Sequence, residues 1–259
     1  MKTDLTIAAL QVDLLWENIL GNQTKFGNLF EDLGSDVDLV ILPEMFTSGF
    51  TMNPEKVAEP MDGSTIEWLR ACAKKQNLAI MGSFIVKDGD QFFNRMVFVE
   101  PNGAVQFYDK RHLFRMGNEH NYYTGGGQRK VFTFQGWRIL PQICYDLRFP
   151  VWSRFRNDYD LMVYVASWPE SRRDVWNILL QARAIENQAY LVGVNRVGVD
   201  GTGLAYSGDS VILDPKGMVI SAAKRGVEST LVERLSLEEL SVFRSKFPAW
   251  MDADDFSIK

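Results

Sequence analysis

Two short apolar runs, each led by an aspartate, constrain this chain most: Asp38 opens one within residues 37–43, and Asp160 opens the other at residues 161–166. A strand-sized run without polar alternation is buried on both faces, which points to parallel sheets covered by helices. The surrounding sequence supplies those helices. Residues 17–33 place Ile19, Phe26, Leu29, Phe30 and Leu33 at helical spacing and stop at Gly34. Residues 65–76 read as a second helix, with Ser64 as cap and Glu67 completing a capping box. Strands are expected at 6–12 and 78–86, then a hairpin of 92–100 with 104–109 across Pro101-Asn102-Gly103.

The same order then recurs. A strand at 137–144 precedes a short helix at 149–157, the strand 161–166, a helix at 174–188 and a strand at 190–196. Residues 210–214 turn through Pro215-Lys216-Gly217 into 218–222. The aspartate-led runs and the Pro-x-Gly turns repeat at nearly the same interval, and no Pro-, Gly- or Ser-rich linker divides the halves. The pattern predicts an α/β fold: one domain over residues 1–259, built from two similar halves whose stacked sheets carry helices outside. Residues 235–259 differ. A polar helical piece at 236–245 is followed by Phe247, Pro248, Trp250 and an acidic end, expected to dock on the body or on a neighbouring subunit.

Composition narrows the function. Of 259 residues, 46% are hydrophobic and 24% charged, enough for a substantial core and too apolar for a disordered chain. A net charge of −5 without a run of one sign gives no footprint for nucleic acid or an anionic membrane. The longest apolar stretches fall far short of a bilayer span. Lys2 is followed by Asp4, Gln11 and Asp13, so no secretory leader is expected. The two cysteines, Cys72 and Cys144, make no disulfide framework, and a cytoplasmic protein is the expectation. With only His112 and His120 available, no metal site and no cofactor are expected.

Three polar residues stand at strand ends, where α/β folds build sites. Glu44 ends the first apolar run, Lys110 ends the second hairpin strand and Cys144 ends the strand that opens the second half. A thiol needs a base or a cation to become a thiolate. Glu44 can be that base, and Lys110 can stabilise the oxyanion of a tetrahedral intermediate together with the backbone N–H of Tyr145. Each also has a plainer reading: a cysteine in an apolar strand is often a small core residue, Glu44 could cap a turn, and Lys110 could be solvated. Cys72 lies in a helix and reads as packed core. A Cys–His dyad through His112 or His120 is the mechanistic rival.

Leu42-Pro43-Glu44, Tyr108-Asp109-Lys110-Arg111-His112-Leu113-Phe114 and Ile143-Cys144-Tyr145-Asp146-Leu147-Arg148-Phe149-Pro150 resemble the three signature blocks of the nitrilase superfamily of carbon–nitrogen hydrolases, in the family's order. The resemblance implies a four-layer α-β-β-α sandwich and a Glu44–Lys110–Cys144 triad. It also implies a second glutamate orienting the lysine, for which Glu119 falls at the matching place. Ser167-Trp168-Pro169 with Arg172, Trp176 and residues 182–188, and Gly193-Val194-Asn195-Arg196-Val197-Gly198, resemble the omega-amidase branch. That branch hydrolyses the terminal amide of 2-oxo dicarboxylic acid monoamides; a nitrile, an N-carbamoyl compound or another linear amide is the alternative. Such a substrate carries a carboxylate, so Arg148 or Arg172 is expected to bind it. Trp168, Phe46, Met45 and Tyr123 are expected as pocket walls. The resemblance further implies a homodimer acting on a small molecule, and the charge pattern leaves no nucleic acid or membrane partner to expect.

Overall fold

The structure, a computed structural model, describes residues 3–257. Lys2 and the last two positions of the expected tail lie outside them. The first half runs β1 (Asp4–Gln11), α1 (Ile19–Glu31), β2 (Leu39–Ile41), α2 (Pro54–Val57), α3 (Ser64–Gln76), β3 (Ala79–Asp88), β4 (Gln91–Val99) and β5 (Val105–Asp109). The second runs β6 (Phe132–Phe134), β7 (Trp137–Ile143), α4 (Pro150–Ser153), β8 (Leu161–Ala166), α5 (Arg173–Asn187) and β9 (Tyr190–Asn195). A hairpin of β10 (Val197–Val199) and β11 (Ala205–Ser207) follows, then β12 (Val211–Leu213), β13 (Val219–Ala222), β14 (Ser229–Ser236) and α6 (Leu237–Lys246).

Two six-stranded sheets result, ordered β14-β1-β2-β3-β4-β5 and β13-β12-β9-β8-β7-β6. In each, the central three strands are parallel and the outer pairings antiparallel. The halves therefore repeat strand for strand, with β1, β2 and β3 matching β7, β8 and β9. The two aspartates are equivalent in detail. Asp38 accepts the N–H of Thr6 on β1 at 2.8 Å, and Asp160 accepts the N–H of Arg138 on β7 at 3.1 Å. Each thus satisfies a backbone donor that the central parallel pairing leaves open at the strand start.

Period-two alternation divides the first sheet between two cores. Ile7, Ala9, Leu39, Ile41 and Met81 face the second sheet, whereas Ala8, Leu10, Val40, Leu42 and Ile80 pack under α1 and α3 with Phe26, Phe30, Ile66 and Leu69. Trp176, Leu180 and Ala184 of α5 cover the second sheet from outside. The α-β-β-α sandwich is the expected architecture.

Some local expectations give way. Ser64 is the first residue of α3 rather than its cap, and no side chain of the flanking Gly63 caps it. The carboxylate of Glu59 fills that place from outside the helix, accepting from the Ser64 and Thr65 hydroxyls and from the Thr65 N–H, so the Ser64–Glu67 capping box does not form. α1 begins at Ile19, because Glu17 holds φ +47° and Asn18 caps Gly21. Leu235 and Ser236 belong to β14, which pairs along the whole of β1, so the structure departs from the sandwich beyond Ser236 and not at Leu235. From there α6 is capped by Ser236, and Trp250 packs edge-on against Phe155. Gln188 ties the tail to the end of α5 by donating to Phe247 O and accepting from Trp250 N–H.

Candidate active site

The parallel strands of the first sheet deliver Glu44. After β2 the chain turns sharply at Met45, φ +47°, and Ser83 of β3 fixes the turn by accepting the Met45 N–H on its hydroxyl and the Phe46 N–H on its carbonyl, both at 2.9 Å. Lys110 follows β5 directly, its N–H bonded to Asn94 O of β4 at 3.0 Å. Cys144 follows β7 in a backbone conformation that side chains rarely adopt, φ +45°. Such strain persists only where the surroundings hold it, and it is common at functional sites.

Asp146 does the holding here. Its buried carboxylate accepts the Ile143 N–H at 3.0 Å, the Tyr108 hydroxyl at 2.8 Å and the His112 N–H at 3.0 Å. Trp152 Nε1 donates in turn to Tyr108 Oη at 2.9 Å. The turn carrying Cys144 is thereby bolted to the segment carrying Lys110. Tyr145 lies second in the 3-10 turn spanning Cys144–Arg148, where the first N–H groups have no acceptor within the turn.

Glu44, Lys110 and Glu119 meet in a fully buried cluster. Lys110 Nζ donates to Glu44 Oε1 at 2.8 Å and to Glu119 Oε1 at 3.0 Å, and lies 5.1 Å from the centre of the Phe50 ring. Glu119 is no surface acid: its other oxygen accepts the Phe114 N–H at 2.6 Å. Glu44 Oε1 also accepts from Asn94 Nδ2 at 2.8 Å, and its Oε2 accepts the Ser167 N–H at 2.8 Å. Cys144 completes the group, close enough for the charges of Glu44, Lys110 and Glu119 to act on its thiol.

Two carboxylates share one ammonium, and the electrostatics follow from that. Burial works against the charge on Lys110, but Glu119, Glu44 and Cys144 outweigh it and hold the ammonium above its ordinary pKa. Burial raises the Glu119 carboxyl, with Lys110 opposing and Glu44 adding to the rise. Burial also pushes the Cys144 thiol well up; Glu44 and Glu119 reinforce the effect and Lys110 counters it. The resting cysteine is therefore a protonated thiol beside a carboxylate. Among the described residues no group of three or more His, Cys, Asp or Glu side chains could hold a metal ion, and here the Lys110 ammonium occupies the centre of the acids.

Cys144 forms the floor of a cleft of about 430 Å³ out to its mouth. Phe50, Phe114, Trp168 and Tyr206 make its apolar walls, and Arg148 and Arg172 bring two guanidinium groups to it. Each guanidinium lies over an aromatic ring, Arg148 over Trp168 at 5.2 Å and Arg172 over Phe114 at 5.3 Å. Of the expected walls, only Trp168 lines the cleft. Phe46 points to the opposite face of the sheet, among Phe26, Trp68 and Phe84. Met45 and Tyr123 pack behind the site with Val57 and Ile85, the Tyr123 hydroxyl donating to Thr51 O at 2.6 Å. His112 stacks on Phe149 at 3.8 Å with Nδ1 2.8 Å from Asp146 Oδ1, and His120 is exposed. The charged groups that act most strongly on the Cys144 thiol are Glu44, Lys110 and Glu119.

Asn94, Asp146, Phe50 and Tyr206 were not singled out in the sequence. A usable signal existed for two of them: Asn94 is a polar residue inside an apolar strand, and Asp146 lies two residues past the nucleophile candidate.

The family model for carbon–nitrogen hydrolases matches residues 6–245. The chain is 48% identical to an omega-amidase, YafV, of Yersinia enterocolitica, over 98% of each chain. It is 32% identical to the 2-oxoglutaramate amidase of Bacillus subtilis (strain 168), covering 95% of this chain and 96% of that one. A CN-hydrolase superfamily protein of Xanthomonas campestris, solved with an arsenic adduct in its active site, superposes with a TM-score of 0.96 at 44% identity over all of both chains. By sequence, fold and family model alike, this chain belongs to the carbon–nitrogen hydrolases of the nitrilase superfamily and is an amidase-type hydrolase.

Proposed function

We propose that the enzyme is an omega-amidase, hydrolysing the terminal amide of a 2-oxo dicarboxylic acid monoamide such as 2-oxoglutaramate. The observation that carries this reading is the pairing of a buried Glu44–Lys110–Cys144 cluster with two guanidinium groups at one small cleft. The cluster suits attack on an amide carbonyl, and a guanidinium suits the carboxylate at the other end of such a substrate. The similarity to an omega-amidase and to a 2-oxoglutaramate amidase supports the same reading.

In this mechanism Glu44 takes the thiol proton as sulfur attacks the carbonyl carbon. Lys110 and the Tyr145 N–H stabilise the oxyanion, and Glu119 keeps Lys110 in place. The C–N bond then breaks, and ammonia leaves with the proton that Glu44 returns. Water, deprotonated by Glu44, hydrolyses the thioester to the 2-oxo diacid and restores the thiol. Arg148 or Arg172 binds the distal carboxylate, and Trp168 walls the pocket. Ammonia release from 2-oxoglutaramate, glutamine, a simple nitrile and an N-carbamoyl amino acid tests the substrate. Release confined to 2-oxoglutaramate is expected, and release only from another compound would discard this substrate.

The enzyme is further read as one domain acting as a cytoplasmic homodimer. Ile178 and Ile185 on the outer side of α5, with Phe247 and Met251 in the tail, are exposed apolar side chains that suit burial against a second copy. Light scattering after size exclusion distinguishes dimer from monomer.

A further inference from the structure

Asn94 of β4 sits between the two carboxylates of the buried cluster. Its Nδ2 donates to Glu44 Oε1 at 2.8 Å and faces Glu119 Oε1 at 3.4 Å, while its own Oδ1 is buried without a hydrogen-bond partner among the described residues. The reverse orientation of the amide would set Oδ1 against two carboxylate oxygens, so the orientation is fixed by its acceptors. Leaving a buried carbonyl unpaired is costly, and the bonds made by Nδ2 must offset that cost.

Each carboxylate oxygen offers about two lone-pair sites. On Glu44 Oε1 both are filled, by Lys110 Nζ and by Asn94 Nδ2, each at 2.8 Å. Among the described residues Oε2 accepts only the Ser167 N–H, which leaves it one open site. Building on the reading of Glu44 as general base, we propose that Asn94 is a positioning residue that directs the thiol proton to Oε2. The S–H bond of Cys144 breaks, an O–H bond forms at Oε2, and the electron pair left on sulfur attacks the carbonyl carbon. Without Asn94, Oε1 regains an open site and competes with Oε2 for the thiol proton. The other groups facing Glu44 are Lys110 after β5, Glu119, Cys144 after β7, and the phenols of Tyr123 and Tyr206.

The test is the pH dependence of Cys144 alkylation by iodoacetamide, which needs no substrate, alongside that of kcat/KM. Asn94→Leu keeps the branched shape of the side chain and removes the donor; Asn94→Ala serves in the same assays if the leucine variant fails to fold. Expected is slower alkylation across the profile, by about tenfold at neutral pH, with kcat down about tenfold and KM within about twofold. Glu44→Gln is run in parallel and is expected to lose alkylation at neutral pH. If Glu44→Gln loses it while the Asn94 variants overlay the wild-type profile, the role of Asn94 is overturned and the base assignment stands. If Glu44→Gln alkylates like wild type, the base assignment fails and this inference falls with it.

Discussion

Ser167 donates its backbone N–H to Glu44 Oε2 at 2.8 Å across 123 residues of sequence. Ser167 follows β8 and Glu44 lies just past β2, the equivalent strand of the other half, so the repeat brings two matching strand ends face to face. Neither half could assemble the site alone. The first half supplies two carboxylates and an ammonium, whereas the second supplies the thiol, Ser167 and both arginines of the cleft.

Lys110 bridges two buried carboxylates, so replacing it by methionine leaves both without its charge. Loss of a partner from a buried ionic network costs about 3–5 kcal/mol. Lys110→Met is expected to melt well below wild type and to lose turnover. Lys110→Met in combination with Glu119→Gln should recover part of the melting temperature but not the activity, as thermal denaturation and ammonia release will show.

Cys144 makes stability pH-dependent in a predictable direction. Burial raises its folded pKa well above the ordinary value, while the unfolded thiol ionises near about 8.5. Above that pH the unfolded chain holds fewer protons than the native one, so the stability linked to this group is fully present below about pH 8.5 and falls as pH rises beyond it. The slope contributed is at most about 1.4 kcal/mol per pH unit. Urea titrations from pH 7 to 10 should show a shallower decline for Cys144→Ala than for wild type.

Asp146 holds the strained turn at Cys144 through three donors from outside its own side chain, two of them buried. Asp146→Ala is expected to destabilise the fold by about 2–4 kcal/mol and to cut kcat more than it raises KM. Chemical denaturation and steady-state kinetics separate the two effects. Tyr108→Phe removes only one of the donors and should show a smaller loss in both.

The arginines of the cleft should declare themselves through charge. A charge-assisted hydrogen bond to carboxylate contributes about 1.5–3 kcal/mol, or roughly 10- to 100-fold in affinity. Whichever of Arg148→Ala and Arg172→Ala removes the substrate contact should raise KM for 2-oxoglutaramate by that factor. KM for a neutral amide of similar length should stay nearly unchanged in the same variant.

The parallel core was legible because β2 and β8 are apolar throughout, and only full burial makes such runs. β14 was not read as a strand: Glu233 and Arg234 interrupt its apolar positions, and its partner β1 lies at the other end of the chain. β6, β10 and β11 have three residues each, too few to show alternation. Glu44, Lys110 and Cys144 stood out as polar residues ending apolar strands. Phe46 and Tyr123 were misplaced because a four-layer fold gives each strand end two apolar sides, and nearness in sequence to a site does not say which side a ring takes. Asn94 acts from within a strand, where a polar residue among apolar ones was the only trace of it.

The most direct test of the account is ammonia release from 2-oxoglutaramate by wild type and Cys144→Ala, with circular dichroism to verify the fold of both. The account predicts one ammonia per 2-oxoglutarate from wild type and none above background from a folded Cys144→Ala. Turnover by the folded Cys144→Ala enzyme at a rate near wild type would contradict it.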